Sequence, residues 1–168
     1  GSLGAGTINQ SIIAHLEELA ESGIQVIWQT GKNYFANCKA ALRRDMNNII
    51  CTAFISQMPM AYAMADLVIS RAGASSISEL CLLGKPSILV PSPNVAEDHQ
   101  THNAMALVRK DAAILVKDIN AKEQMVETAL ALIKDDEQLR VLHKNILTLA
   151  LPDSARHIAE EVMKLAKK

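Results

Sequence analysis

The chain has 168 residues, a formal net charge of −1 and 49% hydrophobic residues. This length allows one well-buried core and predicts a single domain over residues 1–168. Lysines and arginines are spread along the chain rather than clustered, which disfavours a nucleic-acid partner and a polybasic membrane surface. Aromatic residues make up only 3%, which also disfavours a base-stacking platform.

The cysteines indicate a cytosolic setting, and the start of the chain indicates a fragment. Cys38, Cys51 and Cys81 are odd in number and lack metal-ligand spacing, so we expect reduced thiols. No apolar stretch reaches the ~18 residues of a membrane span, and no signal peptide opens the chain, so any membrane contact is expected to be peripheral. The chain opens at Gly1 with the turn-like segment GSLGAG, which indicates a cut piece; Gly1 and Ser2 as a tag remnant is the open alternative.

Predicted helices and apolar strands alternate along the sequence. The segment TINQSIIAHLEELAESG predicts a helix that ends at Gly23, with an apolar face of Ile8, Ile12, Leu16 and Leu19. Strands are expected in IQVIWQT, NIICTAF, DLVIS, SILVPSP and AILV, and further helices at 34–42, from Pro59, before Gly84, and at 100–110, 121–133, 137–149 and 155–166. Short strands without polar alternation predict an α/β fold, a Rossmann-like parallel sheet flanked by helices, with ligands at the carboxyl ends of its strands.

The segment RAGASS follows the strand DLVIS and leads into a helix. Small residues let backbone amides approach a ligand closely, and a helix N-terminus favours phosphate oxygens. Because GSLGAG precedes the first helix in the same way, the two segments together suggest a diphosphate. An alternative stays open at this point, since Ser76 and Glu79 also have the spacing of a capping box.

A second polar segment, AEDHQTHNA, follows the strand SILVPSP. It carries donors and acceptors of the kind that bind sugar hydroxyls, namely Glu97, Asp98, His99, Gln100 and Asn103. The alternative is an ordinary solvated first helical turn capped by Asp98. No third ligand accompanies the histidines of this segment, and there is no DxD pair, nucleophile elbow or Walker A ending, so no metal and no cofactor is predicted.

Three segments carry a resemblance to a known family: GSLGAGTINQ, FISQMPMAYAMADLVISRAGASSISELCLLGKPSILVPSP and EDHQTHNAMALV. They resemble the C-terminal, donor-binding domain of glycosyltransferase family 28, bacterial enzymes of the GT-B fold that add N-acetylglucosamine (GlcNAc) to lipid I and form lipid II. The resemblance spans nearly the whole chain, and its middle block is the most specific. It implies that this chain is the donor half of such an enzyme and that the N-terminal acceptor domain is absent from it.

The resemblance also implies residue roles in binding UDP-GlcNAc. Ser2 and Gly4 belong to the first glycine-rich loop near the diphosphate, and the backbone of Ile55 pairs with uracil, with Met58 nearby. A phosphate-facing segment is preceded by Arg71 and consists of Ala74, Ser75, Ser76, Ile77 and Ser78.

The remaining implied contacts are to the sugars. Glu79 matches the glutamate that holds the ribose hydroxyls, Gln100 the glutamine that reads the GlcNAc hydroxyls, and His99 lies beside it. One position departs from the family pattern, because Gly6 stands where many members have arginine. This departure leaves backbone amides rather than charge to bind phosphate in the first loop.

The implied reaction is an inverting transfer in which the muramoyl 4-hydroxyl attacks the anomeric carbon of UDP-GlcNAc. No catalytic residue is expected in this chain, which alone should be inactive, and lipid I and the cytoplasmic face of the inner membrane would be contacted through the missing domain. Two alternatives stay open: a stand-alone donor-binding subunit of another lipid-linked GlcNAc transferase, and a nucleotide-binding module without transfer chemistry.

Overall fold

The computed structural model describes residues 4–166, so the predicted site residue Ser2 lies outside the described residues. The helices, in chain order, are α1 Gly6–Ala14, α2 Leu16–Glu21, α3 Phe35–Ala41, α4 Met58–Met64, α5 Ala74–Leu83, α6 His99–Val108, α7 Ala121–Leu132, α8 Asp136–Leu147 and α9 Ser154–Ala166. The strands are β1 Val26–Gln29, β2 Ile49–Thr52, β3 Val68–Ser70, β4 Ser87–Leu89 and β5 Ile114–Leu115, and short 3-10 turns cover Ala96–Asp98 and Asp118–Asn120.

The strands are parallel, and the predicted α/β architecture of parallel strands flanked by helices is confirmed. β1 pairs with β2, and β4 lies between β3 and β5. Within residues 4–166 no backbone hydrogen bond joins β1 to β3, so the strands form groups of two and three rather than one continuous sheet. The sequence predicts each strand from its apolar run, whereas edge-to-edge pairing depends on tertiary hydrogen bonds that no run of residues specifies.

Strand β4 and the residue after it separate two hydrophobic clusters. Ile88 and Val90 pack into the cluster that contains Trp28, while Leu89 packs into the cluster that contains Leu80. All three β4 side chains have no solvent exposure. Alternate residues of this strand therefore cover both faces of the sheet, as expected for a parallel strand between helical layers.

The first predicted helix is two helices with an unbroken apolar face. His15 leaves the helical backbone region with a φ of −121°, and its N–H bonds to the carbonyl of Ile12 at 3.1 Å. The break does not disturb burial, since the four predicted apolar residues are all buried: Ile8, Ile12, Leu16 and Leu19. The periodicity thus predicted the buried face correctly and missed the change of backbone at one residue.

Buried polar side chains of α1 fix this helix to its neighbours. Asn9 donates to the carbonyl of Thr30 at 2.9 Å and accepts from the indole nitrogen of Trp28 at 2.8 Å. The hydroxyl of Ser11 donates to the carbonyl of Ala121 at 2.7 Å, at the start of α7. Because each of these buried groups has a partner, the contacts define the position of α1 without the cost of an unsatisfied polar atom.

Three further features bear on the setting that the sequence predicts. All three cysteines are free thiols, and burial raises the pKa of each above its ordinary 9.0. No helix within residues 4–166 has the length and hydropathy needed to cross a bilayer. Helix α9 is amphipathic and exposed, with apolar side chains such as Ile158 and Val162 more than half exposed.

Gly84 ends α5 in the way that the sequence predicted. Its φ is +62°, its N–H bonds to the carbonyl of Cys81, and the N–H of Lys85 bonds to the carbonyl of Leu80, which is the Schellman arrangement. A Cβ at this position would lie 2.8 Å from the Cε1 of His143 and from the Cγ of Leu147. Only glycine satisfies both the left-handed backbone and the close approach of α8.

We expect Gly84→Ala to destabilise the chain more than Gly23→Ala. Gly23 also has a left-handed backbone, at φ +74°, but a Cβ added there would meet no neighbouring atom within 4 Å. Gly23→Ala should therefore cost about 1–2 kcal/mol from backbone strain alone. Gly84→Ala should cost about 1–3 kcal/mol more because α8 must move. Denaturant unfolding measures both, and equal losses would contradict the packing role of Gly84.

Candidate functional site

The candidate site is built at the carboxyl ends of the strands, where the loops after β3, β4 and β5 come together. Its centre is the short loop 71–73 and the start of α5. Gly73 is the N-cap with extended backbone, and the first intrahelical bond runs from the N–H of Ile77 to the carbonyl of Gly73 at 3.0 Å. The N–H groups of Ala74, Ser75 and Ser76 consequently have no acceptor within the helix, which is the arrangement that binds anions.

This helix start excludes the capping-box alternative. A Ser76 cap would place the first helical residue at Ile77, whereas α5 begins three residues earlier, at Ala74. No side chain caps the helix, and Ser76 lies within its first turn. The hydroxyl of Ser78 donates back to the carbonyl of Ala74 at 3.0 Å. Glu79 is therefore not the reciprocal partner of a serine cap.

Glu79 is instead contacted from α4. The hydroxyl of Tyr62 donates to its Oε2 at 3.1 Å, and the Glu79 side chain is otherwise exposed. Burial, followed by the hydrogen bond and the charge of Glu79, raises the pKa of Tyr62 from its ordinary 10.0 to about 12. The carboxylate is thus both oriented and accessible, as a residue that accepts from ligand hydroxyls must be. Tyr62 was not among the predicted site residues.

The loop before α5 is held from several sides. The Nη1 of Arg71 donates to the carbonyls of Val90 and Pro91 at 3.1 and 3.2 Å and forms an ion pair with Asp118. The side-chain amide of Asn103 donates to the carbonyl of Ala72 at 3.1 Å. Arg71, predicted to contact the donor, therefore has an internal role in holding this loop, and Asp118 was missed by the sequence reasoning.

Ile55 is the residue whose backbone is predicted to pair with uracil, and its N–H is already hydrogen-bonded within the protein. The N–H of Ile55 donates to the Oε1 of Gln29, the last residue of β1, at 2.9 Å. Phe54 beside it is largely exposed, and Met58 opens α4. A base that bonds to the Ile55 amide must displace Gln29, whereas the carbonyl of Ile55 can accept without that change. Gln29 could have been noted from its position at a strand's carboxyl end.

The second polar segment has an unusual backbone. Glu97 and Asp98 have φ values of 54° and 49°, a left-handed conformation that is uncommon outside glycine. Asp98 is the N-cap of α6 by position, but its carboxylate accepts from the hydroxyl of Thr101 at 2.7 Å rather than from a helix N–H. The alternative of a side-chain cap by Asp98 is therefore wrong, although Asp98 holds the N-cap position and His99 is the first residue of α6.

Gln100 connects this segment to the loop after β4. Its Oε1 accepts from the N–H of Ser92 at 2.9 Å, and its side chain is half-buried. The amide nitrogen of Gln100 carries the two hydrogens that remain available to a ligand hydroxyl. Gln100 can hold the loop and donate to a sugar at the same time.

Gly4 lies against Tyr34 and the carbonyl of Thr30, the residue after β1, and Gly6 also lies against Tyr34. A Cβ on Gly4, which has a φ of +75°, would lie 2.6 Å from the carbonyl oxygen of Thr30. A Cβ on Gly6 would lie 2.9 Å from the hydroxyl of Tyr34. Gly6 has no side chain and accordingly leaves space that Tyr34 occupies.

Helix α1 begins as α5 does, with backbone amides that have no acceptor within the helix. Its first intrahelical bond runs from the N–H of Asn9 to the carbonyl of Ala5. The hydroxyl of Thr7 in this first turn donates to Asp118 at 3.0 Å, so one carboxylate contacts both α1 and Arg71. Within residues 4–166, no three His, Cys, Asp or Glu side chains are grouped as a metal site.

Comparison with known proteins agrees with this architecture. Residues 1–160 match the model of the glycosyltransferase family 28 C-terminal domain, and the chain belongs to this family. A curated relative from Parabacteroides distasonis, named UDP-N-acetylglucosamine--N-acetylmuramyl-(pentapeptide) pyrophosphoryl-undecaprenol N-acetylglucosamine transferase, is 56% identical over 170 residues, which cover 100% of this chain and 46% of the relative. A relative of the same name from Bacteroides thetaiotaomicron is 57% identical over 170 residues, which cover 99% of this chain and 46% of the relative.

A solved structure is also similar. The crystal structure of MurG from Acinetobacter baumannii superimposes with a TM-score of 0.85 at 27% sequence identity, covering 98% of this chain and 48% of that one. The chain therefore spans about half the length of the relatives that it matches.

We expect the Tyr62 hydroxyl to titrate near pH 12 and to respond to Glu79. In a Tyr34→Phe background Tyr62 is the only tyrosine, so phenolate absorbance reports it alone. Adding Glu79→Gln removes the neighbouring charge and should lower the pKa of Tyr62, although burial keeps it above 10.0. Because the folded pKa is the higher one, the protonated phenol stabilises the fold fully below pH 10.0 and loses this effect as the pH rises toward 12.

Glu18→Gln on α2 is the matched control and should leave the Tyr62 titration unchanged. A Tyr62 pKa that does not move in Glu79→Gln would contradict the observed contact.

Proposed function

We propose that this chain binds UDP-N-acetylglucosamine as the donor half of an inverting glycosyltransferase that transfers GlcNAc to lipid I and forms lipid II in peptidoglycan synthesis. The names of the 56–57% identical relatives support the reaction. The start of α5 supports the donor role most directly, because its three first-turn amides have no acceptor within the helix and follow the carboxyl end of β3 after a loop of only three residues.

In this reaction the 4-hydroxyl of the acceptor attacks the anomeric carbon, and the bond from that carbon to UDP breaks. Negative charge grows on the departing diphosphate. Oriented amides and helix dipoles that are in place before the reaction stabilise such charge. The guanidinium of Arg71 is paired with Asp118, so the proposal assigns this stabilisation to the backbone amides of α5 and α1.

The uridine and the sugar would be held at opposite ends of the site. On the uridine side are Glu79, with its carboxylate open to ribose hydroxyls, and the carbonyl of Ile55. On the sugar side is the free amide nitrogen of Gln100. The acceptor lipid, the general base and a peripheral contact with the cytoplasmic face of the membrane belong, in this proposal, to parts of the enzyme outside this chain.

We expect Gln100→Ala to weaken UDP-GlcNAc binding by about fivefold, the loss typical of one hydrogen bond, with little change for UDP. Gln100→Glu separates the two roles of this residue, because it keeps an oxygen for the N–H of Ser92 and loses the amide hydrogens. Calorimetric titration should show a larger loss for UDP-GlcNAc than for UDP in Gln100→Glu, because the added negative charge weakens both ligands and the lost donor weakens only the sugar nucleotide. Equal losses for UDP and UDP-GlcNAc would remove Gln100 from the sugar site, and no binding of UDP-GlcNAc by the unaltered chain would refute the proposed function.

We expect Glu79→Gln to lower UDP affinity by about 10- to 100-fold, since a neutral amide replaces a charged acceptor of ribose hydroxyls. The loss should be clearly smaller with 2′-deoxy-UDP, which lacks one of those hydroxyls. Thermal unfolding should barely change, because Glu79 is exposed and caps no helix. Glu18→Gln serves as the control, and an equal penalty for both nucleotides would show that Glu79 does not contact the ribose.

A further inference from the structure

We infer that Asp118 is a positioning residue for diphosphate binding, which holds the N-termini of α1 and α5 in the arrangement where both can contact one ligand. This inference rests on the proposed function and extends it to a residue outside the predicted donor contacts. Asp118 begins the short turn after β5 and precedes α7. It lies far in sequence from both elements that it joins.

The two carboxylate oxygens of Asp118 have different partners. Oδ1 is bonded to the Nη1 of Arg71, which directly follows β3 and leads into α5. Oδ2 accepts from the hydroxyl of Thr7 in the first turn of α1, at 3.0 Å. The same Nη1 also donates to the carbonyls of Val90 and Pro91 after β4. One carboxylate therefore connects the start of α1 to the loops after β3, β4 and β5.

This ion pair differs from the others among residues 4–166 in its burial. The side chains of Arg71 and Asp118 are 20% and 18% exposed, whereas in every other ion pair of that range both side chains are more than half exposed. Exposed pairs are weakened by solvent and contribute little to structure. A partly buried carboxylate with two partners fixes those partners more firmly, and its removal leaves the Thr7 hydroxyl without this acceptor and the Arg71 guanidinium without its counter-charge.

Loss of Asp118 should loosen the site locally without detaching α1. Helix α1 is also attached to α7 through Ser11 and the carbonyl of Ala121, and to β1 through Asn9, which accepts from the indole nitrogen of Trp28. These contacts lie within the helix, beyond the first turn that carries Thr7. The expected defect is a change in the relative position of two helix starts, and it should appear in phosphate binding.

The sign of the effect distinguishes positioning from simple electrostatics. Asp118→Asn removes a negative charge beside the proposed phosphate site, and Coulomb attraction alone would then tighten the binding of UDP. If Asp118 positions the two helix starts, its replacement weakens UDP binding instead. Thr7→Val removes the contact with Oδ2 without any change of charge, so it tests the geometric contribution by itself.

The experiment compares UDP with uridine, which lacks the phosphates, by calorimetric titration of the full chain. Asp118→Asn should weaken UDP binding by about tenfold and Thr7→Val by about threefold, with uridine affinity unchanged in both. In an Asp118→Ala background, adding Thr7→Val should have no further effect, since the hydroxyl has already lost its partner. Asp45→Asn, which breaks an exposed pair with Arg43 and makes the same charge change, should alter neither ligand.

Several outcomes would overturn the inference. Unchanged or tighter UDP binding in Asp118→Asn would do so, as would equal losses of UDP and uridine, which indicate a general structural role. If Asp118→Asn does not fold, Thr7→Val decides by the same comparison of ligands. An unaltered chain that binds no UDP would refute the proposed function and this inference together, whereas normal UDP binding by both variants would refute the inference alone.

Discussion

The burial of β4 on both faces is the constraint on which the rest of the structure depends. Ser87, Ile88, Leu89 and Val90 have no solvent exposure, and alternate side chains enter two different hydrophobic clusters. The strand is parallel to both neighbours, and burial on both faces is what a parallel strand between two helical layers requires. Its carboxyl end, with those of β3 and β5, therefore brings three loops to one edge, and the candidate site is made from those loops.

Much of this fold follows from the sequence, because apolar runs and helical periodicity are local signals. The face of Ile8, Ile12, Leu16 and Leu19 was predicted and is buried. The end of α5 was predicted from Gly84, since a left-handed backbone has a distinctive residue. The start of α5 was less predictable, because Gly73 is an N-cap without a side-chain bond while the serines after it resemble a cap. Strand pairing was also unpredictable in detail, since it depends on hydrogen bonds between distant segments.

In the candidate site, too, the features that depend on neighbouring residues in the sequence are predictable, and those that depend on tertiary contacts are not. Its loops and its accessible glutamate can be read from the sequence, and the family resemblance adds their roles. The partners of those residues cannot be read in this way. Tyr62 contacts Glu79 from another helix, and Gln29 contacts Ile55 from the neighbouring strand. Asp118 is paired with Arg71, from which it is separated by 47 positions in the sequence. Each is an ordinary surface or strand-end residue by type, and only the tertiary structure gives it a neighbour.

These partners determine how an anion could be held here. Arg71 is neutralised by Asp118 and Gly6 has no side chain, so these two residues supply little positive potential to the two helix starts. The remaining attraction comes from backbone amides, whose partial charges act only over short distances and in defined directions. Binding through amides is consequently sensitive to small displacements of the helices. If the proposed diphosphate site is correct, the buried contacts of α1 with β1 and α7 contribute to it by fixing the position of the α1 amides.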